Sequence, residues 1–487
     1  MHLLSRRTLL KTLASSVVVS PLVGPLPSDL TALSAIQITD AIRQRKVSCV
    51  EVIDAHLRRI SAHNSKLNAI VQLNDGAART AAVAADKALS RGVRVGVLHG
   101  LPVTVKDSFD VAGVISTGGT TGRRSFRPTR DATVVERLRA AGAIILGKTN
   151  IPELTLSYET DNLVYGRTNN PYDVSRTPGG SSGGAAAAIA AGFSALDICS
   201  DTGGSIRVPG HFCGVAGLKP TSGRVPRTGH IISWDGVFQS FTQPGPMART
   251  VEDLALLLQI IAGPDGNDPW IVSVPWRDPH GVSLNGLRVA FHADNNIRKA
   301  DAACGDTVQK AVKALESAGC LIEELVPADL AETYELGNRL WRAAGSATVK
   351  RLLASNGTTD VSPPLRPWLT GTPPPDQDWT ALLEQLDRAR SRMLAVFNRC
   401  DVILCPPCAY LPLEHGATQR DDLDSGFSYS EVFNYLGWPA AVVRCGTAGP
   451  HLPVGVQIVA SPWREDRVLR VALAVQRAFG GWLAPVL

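Results

Sequence analysis

Two glycine-rich turns that carry serines are the segments of this 487-residue sequence with the clearest chemical potential. The first is GGSSGG at residues 179–184, and the second is DTGGS at residues 201–205. Successive glycine amides at a turn form a nest that holds an anion. A serine that ends such a nest, as Ser205 does, has a possible oxyanion hole beside it. The pattern indicates nucleophilic catalysis by serine.

A serine nucleophile needs a base, and a lysine in the run LPVTVKD at residues 101–107 is the candidate. A lysine with the ordinary pKa of about 10.4 is protonated at neutral pH and cannot act as a base. Lys106 follows Val103 and Val105 in a short β pattern. Burial in such a strand disfavours the charged form of the amine and lowers its pKa. We therefore expect Lys106 to be a buried base.

Two further motif matches point to other chemistry. Residues 142–149, GAIILGKT, fit the P-loop expression, but their middle residues are typical of a strand and Pro152 follows too closely for a helix that begins at Lys148. We reject nucleotide binding there. Residues 179–183 also fit the nucleophile elbow of α/β-hydrolases, although a turn-rich loop precedes them and no later histidine stands in a catalytic context. An esterase of that type stays an alternative.

The elements around these motifs alternate between helical and strand periodicity. Helical patterns cover residues 31–64, 77–91, 133–140 and about 464–479; strand patterns cover residues 101–107, 143–146, 195–199, 440–443 and 454–459. The proline-rich residues 360–377 are predicted to be a loop. We predict an α/β fold with a single large domain, in which a mixed, mostly parallel central sheet is covered by helices on both faces.

The sequence resembles the amidase signature family, and residues 179–221 carry its signature. Residues 100–107, GLPVTVKD, look like the strand that bears the family's catalytic lysine. Further similar motifs lie at residues 147–154, 245–253 and 452–457. The usual G-T-D of the signature is Cys199-Ser200-Asp201 here, a departure that we expect to matter little because it precedes the second glycine turn.

The resemblance implies a Ser–cis-Ser–Lys triad that hydrolyses a carboxamide C–N bond, through a serine acyl-enzyme, to a carboxylic acid and ammonia or an amine. In this numbering the nucleophile would be Ser205, the bridging serine after a cis 180–181 peptide would be Ser181, and the base would be Lys106. The amides of residues 202–205 would form the oxyanion hole, and one more serine would support the network. These positions are Thr202, Gly203, Gly204 and Ser205 for the amides, and Ser182 for the serine. No metal or cofactor is implied.

The resemblance leaves the substrate and partners open. The family also resembles the A subunit of glutamyl-tRNA amidotransferase, so an A-subunit-like component of a tRNA-dependent amidotransferase is a second alternative. A catalytically dead binding protein is disfavoured by the intact triad. We expect a small-molecule amide substrate, no nucleic acid and no stable membrane insertion, and a homodimer stays open. Substrate-pocket residues are expected near Trp234, Trp341 and Trp368.

Composition supports a globular protein without a nucleic-acid partner. Hydrophobic residues make up 44% and charged residues 19% of the chain, which excludes wholesale disorder. The formal net charge is +5, of which Arg6, Arg7 and Lys11 supply three charges. The charge of +2 that remains is too small to indicate nucleic-acid binding.

The N-terminal residues resemble an export signal. Residues 5–11 read SRRTLLK, and the apolar run that follows at residues 12–24 is too short to span a bilayer. Adjacent arginines in this context match a twin-arginine signal. We therefore expect a twin-arginine-type signal peptide over residues 1–28, an amidase signature domain over residues 29–487, and export to the periplasm. If the signal is not used, the protein stays in the cytoplasm, where tRNA charging takes place.

Nine cysteines in a chain of this length do not form a disulfide framework. Most of them stand alone among apolar or small residues and are predicted to be core residues. The close pair in Cys405-Pro-Pro-Cys408 leaves a local disulfide open.

Overall fold

A computed structural model describes residues 27–233, 236–370 and 378–487. An 11-stranded sheet runs through this part of the chain, with the strand order β1-β3-β2-β4-β6-β5-β10-β11-β9-β7-β8. The strands are β1 (Ile70–Leu73), β2 (Pro102–Lys106), β3 (Ile144–Thr149), β4 (Leu196–Asp201), β5 (Ala216–Lys219), β6 (Gln243–Ala248), β7 (Arg288–Phe291), β8 (Leu321–Glu324), β9 (Val402–Cys405), β10 (Ala440–Ala448) and β11 (Leu452–Ala460).

Helices flank the sheet. They are α1 (Ala35–Arg43), α2 (Cys49–Leu67), α3 (Asp75–Ser90), α4 (Thr133–Ala140), α5 (Gly183–Ala190), α6 (Arg207–Phe212), α7 (Val237–Phe241), α8 (Val251–Ile261), α9 (Ala302–Ser317), α10 (Leu330–Ser355), α11 (Arg366–Thr370), α12 (Trp379–Leu394), α13 (Asp421–Asp424), α14 (Ser428–Tyr435) and α15 (Glu465–Phe479). None of the helices in the described residues is long and apolar enough to cross a membrane.

The centre of the sheet holds the strands and the helix that carry the motifs. Every residue of β2, β3 and β4 is buried, as is typical of strands covered on both faces. Helix α5 is also buried at every position, because its glycines and alanines let it approach the sheet closely. A Cβ atom on Gly184 would lie 2.4 Å from the backbone nitrogen of Asn150, so only glycine permits this approach.

The single α/β domain with a mixed sheet is confirmed, but it contains fewer parallel pairs than expected. Of the strand pairs in the described residues, four are parallel and six antiparallel. The parallel pairs join β2 to β3 and β4, and β7 to β8 and β9. Strands β10 and β11 are joined by only residues 449–451, which is too short for the crossover that a parallel pair needs.

Most predicted elements lie where the periodicity placed them, and the N-terminal helical pattern is the main difference. Residues 31–64 form two helices, α1 and α2, rather than one. Arg45 has a positive φ of 56°, and Ser48 caps α2 in a capping box with Glu51. The proline-rich loop contains a turn of 3₁₀-helix (Pro363–Leu365) followed by α11, and its residues 371–377 lie outside the described residues.

All nine cysteines are buried and free, as expected of core residues, so Cys405 and Cys408 form no disulfide. Residues 1–26 of the predicted signal peptide lie outside the described residues.

The lysine of the P-loop-like segment has a structural role. Lys148 lies within β3 and is fully buried, which agrees with the rejection of a phosphate-binding loop. Its Nζ is 3.1 Å from Oδ1 of the fully buried Asp107 and donates to Ser116 Oγ at 3.0 Å. A buried charge that loses its partner is strongly destabilising.

We therefore predict that Lys148→Met lowers the free energy of unfolding by about 3–5 kcal/mol, measured by urea denaturation, because it leaves Asp107 buried without its cation. The double variant Lys148→Met, Asp107→Asn should recover part of this loss. Arg388→Ala, which removes an exposed ion pair with Glu384, is the control and should change little. Equal effects of Lys148→Met and Arg388→Ala would contradict the structural role of the buried pair.

Candidate active site

Lys106 ends strand β2 with its amine inside a cluster of hydroxyls. The Nζ atom donates to Ser181 Oγ at 2.6 Å and contacts the carbonyl oxygen and Oγ of Ser200 at 3.2 and 3.1 Å. The side chain is fully buried. Burial lowers the pKa of Lys106 to about 8, although the nearby Asp201 and Asp197 act in the opposite direction. The amine is thus much closer to neutrality than an exposed lysine.

The first glycine turn brings Ser181 to this amine. The Gly180–Ser181 peptide is cis, as the resemblance implied. The turn also packs against a neighbouring loop, because a Cβ atom on Gly180 would lie 2.5 Å from the carbonyl oxygen of Ser157. Residues 180–182 form bends that no strand immediately precedes, and helix α5 follows them.

The second glycine turn places Ser205 beside the same cluster. Its carbonyl oxygen accepts a hydrogen bond from the Ser182 amide at 3.2 Å, and Ser182 Oγ donates to the carbonyl oxygen of Ser200 at 3.3 Å. Ser205 is 6% exposed, and among the described residues its Oγ has no hydrogen-bond partner. The structure therefore joins Lys106 and Ser181 directly and leaves the Ser205 hydroxyl free to meet a substrate. Catalytic hydrogen bonds are often loose until substrate is bound.

The turn at residues 202–205, named here the oxyanion turn, is fixed by the carboxylate of Asp201. Asp201 accepts from the amides of Gly204 and Ile206 at 2.8 and 3.0 Å and from two nitrogens of Arg207 at 2.8 and 3.0 Å. Burial alone would raise the pKa of Asp201, but the Arg207 guanidinium and these amides hold it well below its usual range. The carboxylate is therefore permanently charged.

One of the four amides predicted to form the oxyanion hole, that of Gly204, is engaged elsewhere. The Gly204 amide points to Asp201 and is engaged inside the turn, so it is not available to a substrate oxyanion. The amides of Thr202, Gly203 and Ser205 are left as the candidate oxyanion donors.

Arg207 extends the support to distant elements. Its Nη1 atom donates to the Ser430 carbonyl oxygen at 2.9 Å and to Gln457 Oε1 at 2.7 Å, and its Nη2 atom contacts Asn434. Ser430 and Asn434 belong to α14 and Gln457 to β11. One guanidinium thus ties the oxyanion turn to a helix and a strand that are distant along the chain.

His230 completes the surroundings of the lysine, and no motif in the sequence marked it. His230 Nε2 is 3.0 Å from Ser200 Oγ, the hydroxyl that contacts Lys106. Burial and the nearby Lys106 lower the pKa of His230 to about 3, so the imidazole is neutral. Ser200, at the variant position of the signature, keeps a hydroxyl between the two side chains.

No histidine in the described residues hydrogen bonds to Ser181 or Ser205, which argues against the α/β-hydrolase alternative. The partner of Ser181 is a lysine.

A second unpredicted group lies on the other side of the oxyanion turn. The Tyr158 hydroxyl is 2.7 Å from the Gly203 carbonyl oxygen and 2.8 Å from Oε1 of Glu431 in α14. Both side chains come from segments without a recognised motif, so only the folded chain brings them to the site.

The tryptophans that were expected near a pocket form an aromatic cluster. Trp341 and Trp368 pack against Phe238, with ring centroids 4.2 and 6.2 Å from it and 6.0 Å from each other. Trp234 lies outside the described residues.

Comparisons with known proteins identify the family. The family model described as Amidase matches residues 51–469. The A subunit of glutamyl-tRNA(Gln) amidotransferase from Alkaliphilus metalliredigens (strain QYMF) is 32% identical over 467 residues, which cover 90% of this chain and 94% of that protein.

Solved structures show the same architecture. A 6-aminohexanoate cyclic dimer hydrolase complexed with substrate superposes with a TM-score of 0.83 at 26% identity, covering 93% of this chain and 98% of its own. A bacterial aryl acylamidase of the amidase signature family gives a TM-score of 0.82 at 25% identity, covering 92% and 96%. With the family model matched over most of its length, the chain belongs to the amidase family and is a hydrolase of amide C–N bonds.

Proposed function

We propose that this protein hydrolyses a small carboxamide through an acyl-enzyme on Ser205, with Ser181 and Lys106 as the proton relay. The observation that carries the proposal is the 2.6 Å contact between Lys106 Nζ and Ser181 Oγ in a buried site beside Ser205. The contact supplies what a serine nucleophile lacks, a base whose pKa of about 8 lies near the working pH.

In the acylation step, neutral Lys106 accepts the proton of Ser181 while Ser181 accepts the proton of Ser205. The Ser205 oxygen forms a bond to the carbonyl carbon, and the carbonyl oxygen becomes an oxyanion. The amides of Thr202, Gly203 and Ser205 stabilise that charge, because they are held in place before the reaction begins.

Collapse of the tetrahedral intermediate breaks the C–N bond. The proton held by Lys106 returns through Ser181 to the leaving nitrogen, which departs as ammonia or an amine. Water then attacks the acyl-enzyme and gives a proton to the same relay. When the bond between the Ser205 oxygen and the acyl carbon breaks, the relay returns that proton to Ser205, and the carboxylic acid is released. Each half-reaction leaves the relay as it began, so the cycle is complete.

The nucleophile is testable by substitution and by trapping. Ser205→Ala should lower kcat by about 10⁴–10⁶-fold while circular dichroism and the melting temperature stay unchanged. Mass spectrometry of the unmodified protein with a slowly hydrolysed ester should find the acyl group on Ser205. Ser240→Ala, at a serine on α7 away from the relay, is the control and should keep full activity. An acyl group on Ser182 or on a cysteine would refute the assignment.

The base is testable by the pH profile. Because the neutral amine is the active form, kcat/KM should rise about tenfold per pH unit at acidic and neutral pH and level off above the Lys106 pKa of about 8. Lys106→Ala should lose more activity at neutral than at alkaline pH, because hydroxide replaces a missing base in part.

Lys219 is a matched control, since it is also fully buried and burial lowers its pKa to about 7. Lys219→Met should keep the position of the acidic limb. If the acidic limb of the pH profile persists in Lys106→Ala and disappears in Lys219→Met, the titrating group is Lys219, and Lys106 is not the base.

A free-standing hydrolase is favoured over an amidotransferase component. Both use the same acyl-transfer chemistry and differ in where the released ammonia goes. The N-terminal signal pattern carries this preference, because it is not expected of a tRNA-dependent enzyme, whereas hydrolase structures and amidotransferase A subunits cover similar shares of this chain.

We also propose that residues 1–28 direct the folded protein to the periplasm by the twin-arginine route. The proposal is supported by the SRRTLLK sequence at residues 5–11 and the apolar run after it. Residues 1–35 fused to a reporter should be exported, and Arg6→Lys with Arg7→Lys should block export although the charge is kept. Replacing Lys11 by Arg is the control and should not block it. Equal export of the double-lysine fusion, scored by cell fractionation, would exclude this route.

A further inference from the structure

Glu431 presents an unpaired carboxylate oxygen beside the oxyanion turn. Its Oε1 atom accepts from the Tyr158 hydroxyl at 2.8 Å, and Tyr158 also reaches the Gly203 carbonyl oxygen at 2.7 Å. The glutamate is in close contact with the turn, because a Cβ atom on Gly203 would lie 3.4 Å from Glu431 Cγ. The other oxygen, Oε2, is buried and has no hydrogen-bond partner among the described residues.

An unsatisfied buried carboxylate oxygen is costly, and such groups in native proteins call for a ligand or a functional role. Gly203, Tyr158 and Glu431 are each partly exposed as residues, so they lie near the edge of the site and not in the sealed core. A glutamine at this position would fill the same space without being able to ionise. The unpaired oxygen therefore calls for a donor that the described residues do not supply.

The charges around Glu431 favour a cationic donor. Burial raises the pKa of Glu431 to about 8 and Asp424 acts in the same direction, while Tyr158, Tyr334 and Arg342 act in the opposite direction. Tyr435 also faces the carboxylate. Arg342 is itself 3.8 Å from Asp424 at the exposed rim. If Glu431 is ionised, two carboxylates face one arginine and the group lacks one positive charge, which a proton on Glu431 supplies in the free protein.

We propose that Glu431 selects substrates that carry an ammonium group close to the scissile carbonyl, that is, aminocarboxamides. The inference rests on the proposed function, since it names the substrate class of that same site. Gly203 precedes Ser205 by two residues, a span of at most about 7 Å. The ammonium group therefore lies only a few bonds from the carbonyl that Ser205 attacks.

The binding step has a proton balance that can be measured. At neutral pH the free protein holds a proton on Glu431, and the ammonium group of the substrate replaces it as the donor to the carboxylate. Binding then releases a proton to the buffer. Substrates without the cation leave the carboxyl protonated and release none.

Pairs of amides that have the same shape and differ only in an ammonium group measure the effect of the substrate's positive charge. Alaninamide and isobutyramide have the same shape, as do 3-aminopropanamide and butanamide, and only the first of each pair is an ammonium ion at neutral pH. We expect kcat/KM of the unmodified protein to favour the cation of at least one pair by about tenfold to a hundredfold, mostly through KM. Glu431→Gln should bring that ratio close to one. Glu335→Gln, the same substitution at an exposed glutamate on α10, is the control and should keep the ratio.

Calorimetry on Ser205→Ala gives a readout that does not need turnover. Titration of the same amides in two buffers of different ionisation enthalpy should show proton release when the cationic amides bind. The double variant Ser205→Ala, Glu431→Gln should show no proton release. Hydrolysis of both members of each pair at equal rates, without proton release, overturns the inference and leaves the proposed function standing. Cation binding with proton release in a protein that hydrolyses no amide refutes the proposed function instead.

Discussion

The ion pair between Asp201 and Arg207 is the interaction on which the active site depends. Both side chains are fully buried, and the pair is bidentate. A buried pair of this kind is retained only where further hydrogen bonds satisfy both groups, and here the carboxylate also takes the Gly204 and Ile206 amides. Those bonds fix the glycine turn against the Asp201 carboxylate. Removing either partner would release the turn, and with it the position of Ser205.

The proposed relay needs a neutral group beside this charged pair. Lys106 works only if it is neutral, and the buried strand β2 achieves this by excluding water rather than by supplying a cation. Asp201 raises the pKa of Lys106, and the Arg207 cation paired with Asp201 offsets part of that negative field. The same ion pair therefore shapes the oxyanion turn and limits the negative field that reaches the base.

Sequence patterns predicted the parts of the molecule that are local in the chain. The helices and strands around residues 101–219 follow apolar periodicity, and the two glycine turns marked Ser181 and Ser205. Three features could not be predicted from the sequence. The proportion of parallel pairs depends on connection lengths, the Gly204 amide is taken by Asp201, and His230 and Glu431 reach the site only through the fold. Contacts between residues 30 and 273 positions apart leave no periodic trace in one sequence.

The residues marked by motifs and the residues that only the fold brings to the site differ in their proposed chemical roles. In the proposed mechanism, bond cleavage depends on Lys106, Ser181 and Ser205, which lie on or beside adjacent buried elements rich in small residues. In our proposal, selectivity depends on side chains such as Glu431, which lies on helix α14 against the oxyanion turn and takes no part in the relay. A substitution at Glu431 alters what binds without moving the groups that transfer protons. The same constellation of serines and lysine can therefore act on amides of very different chemistry, and the substrate of a given chain has to be inferred from the residues that surround its oxyanion turn.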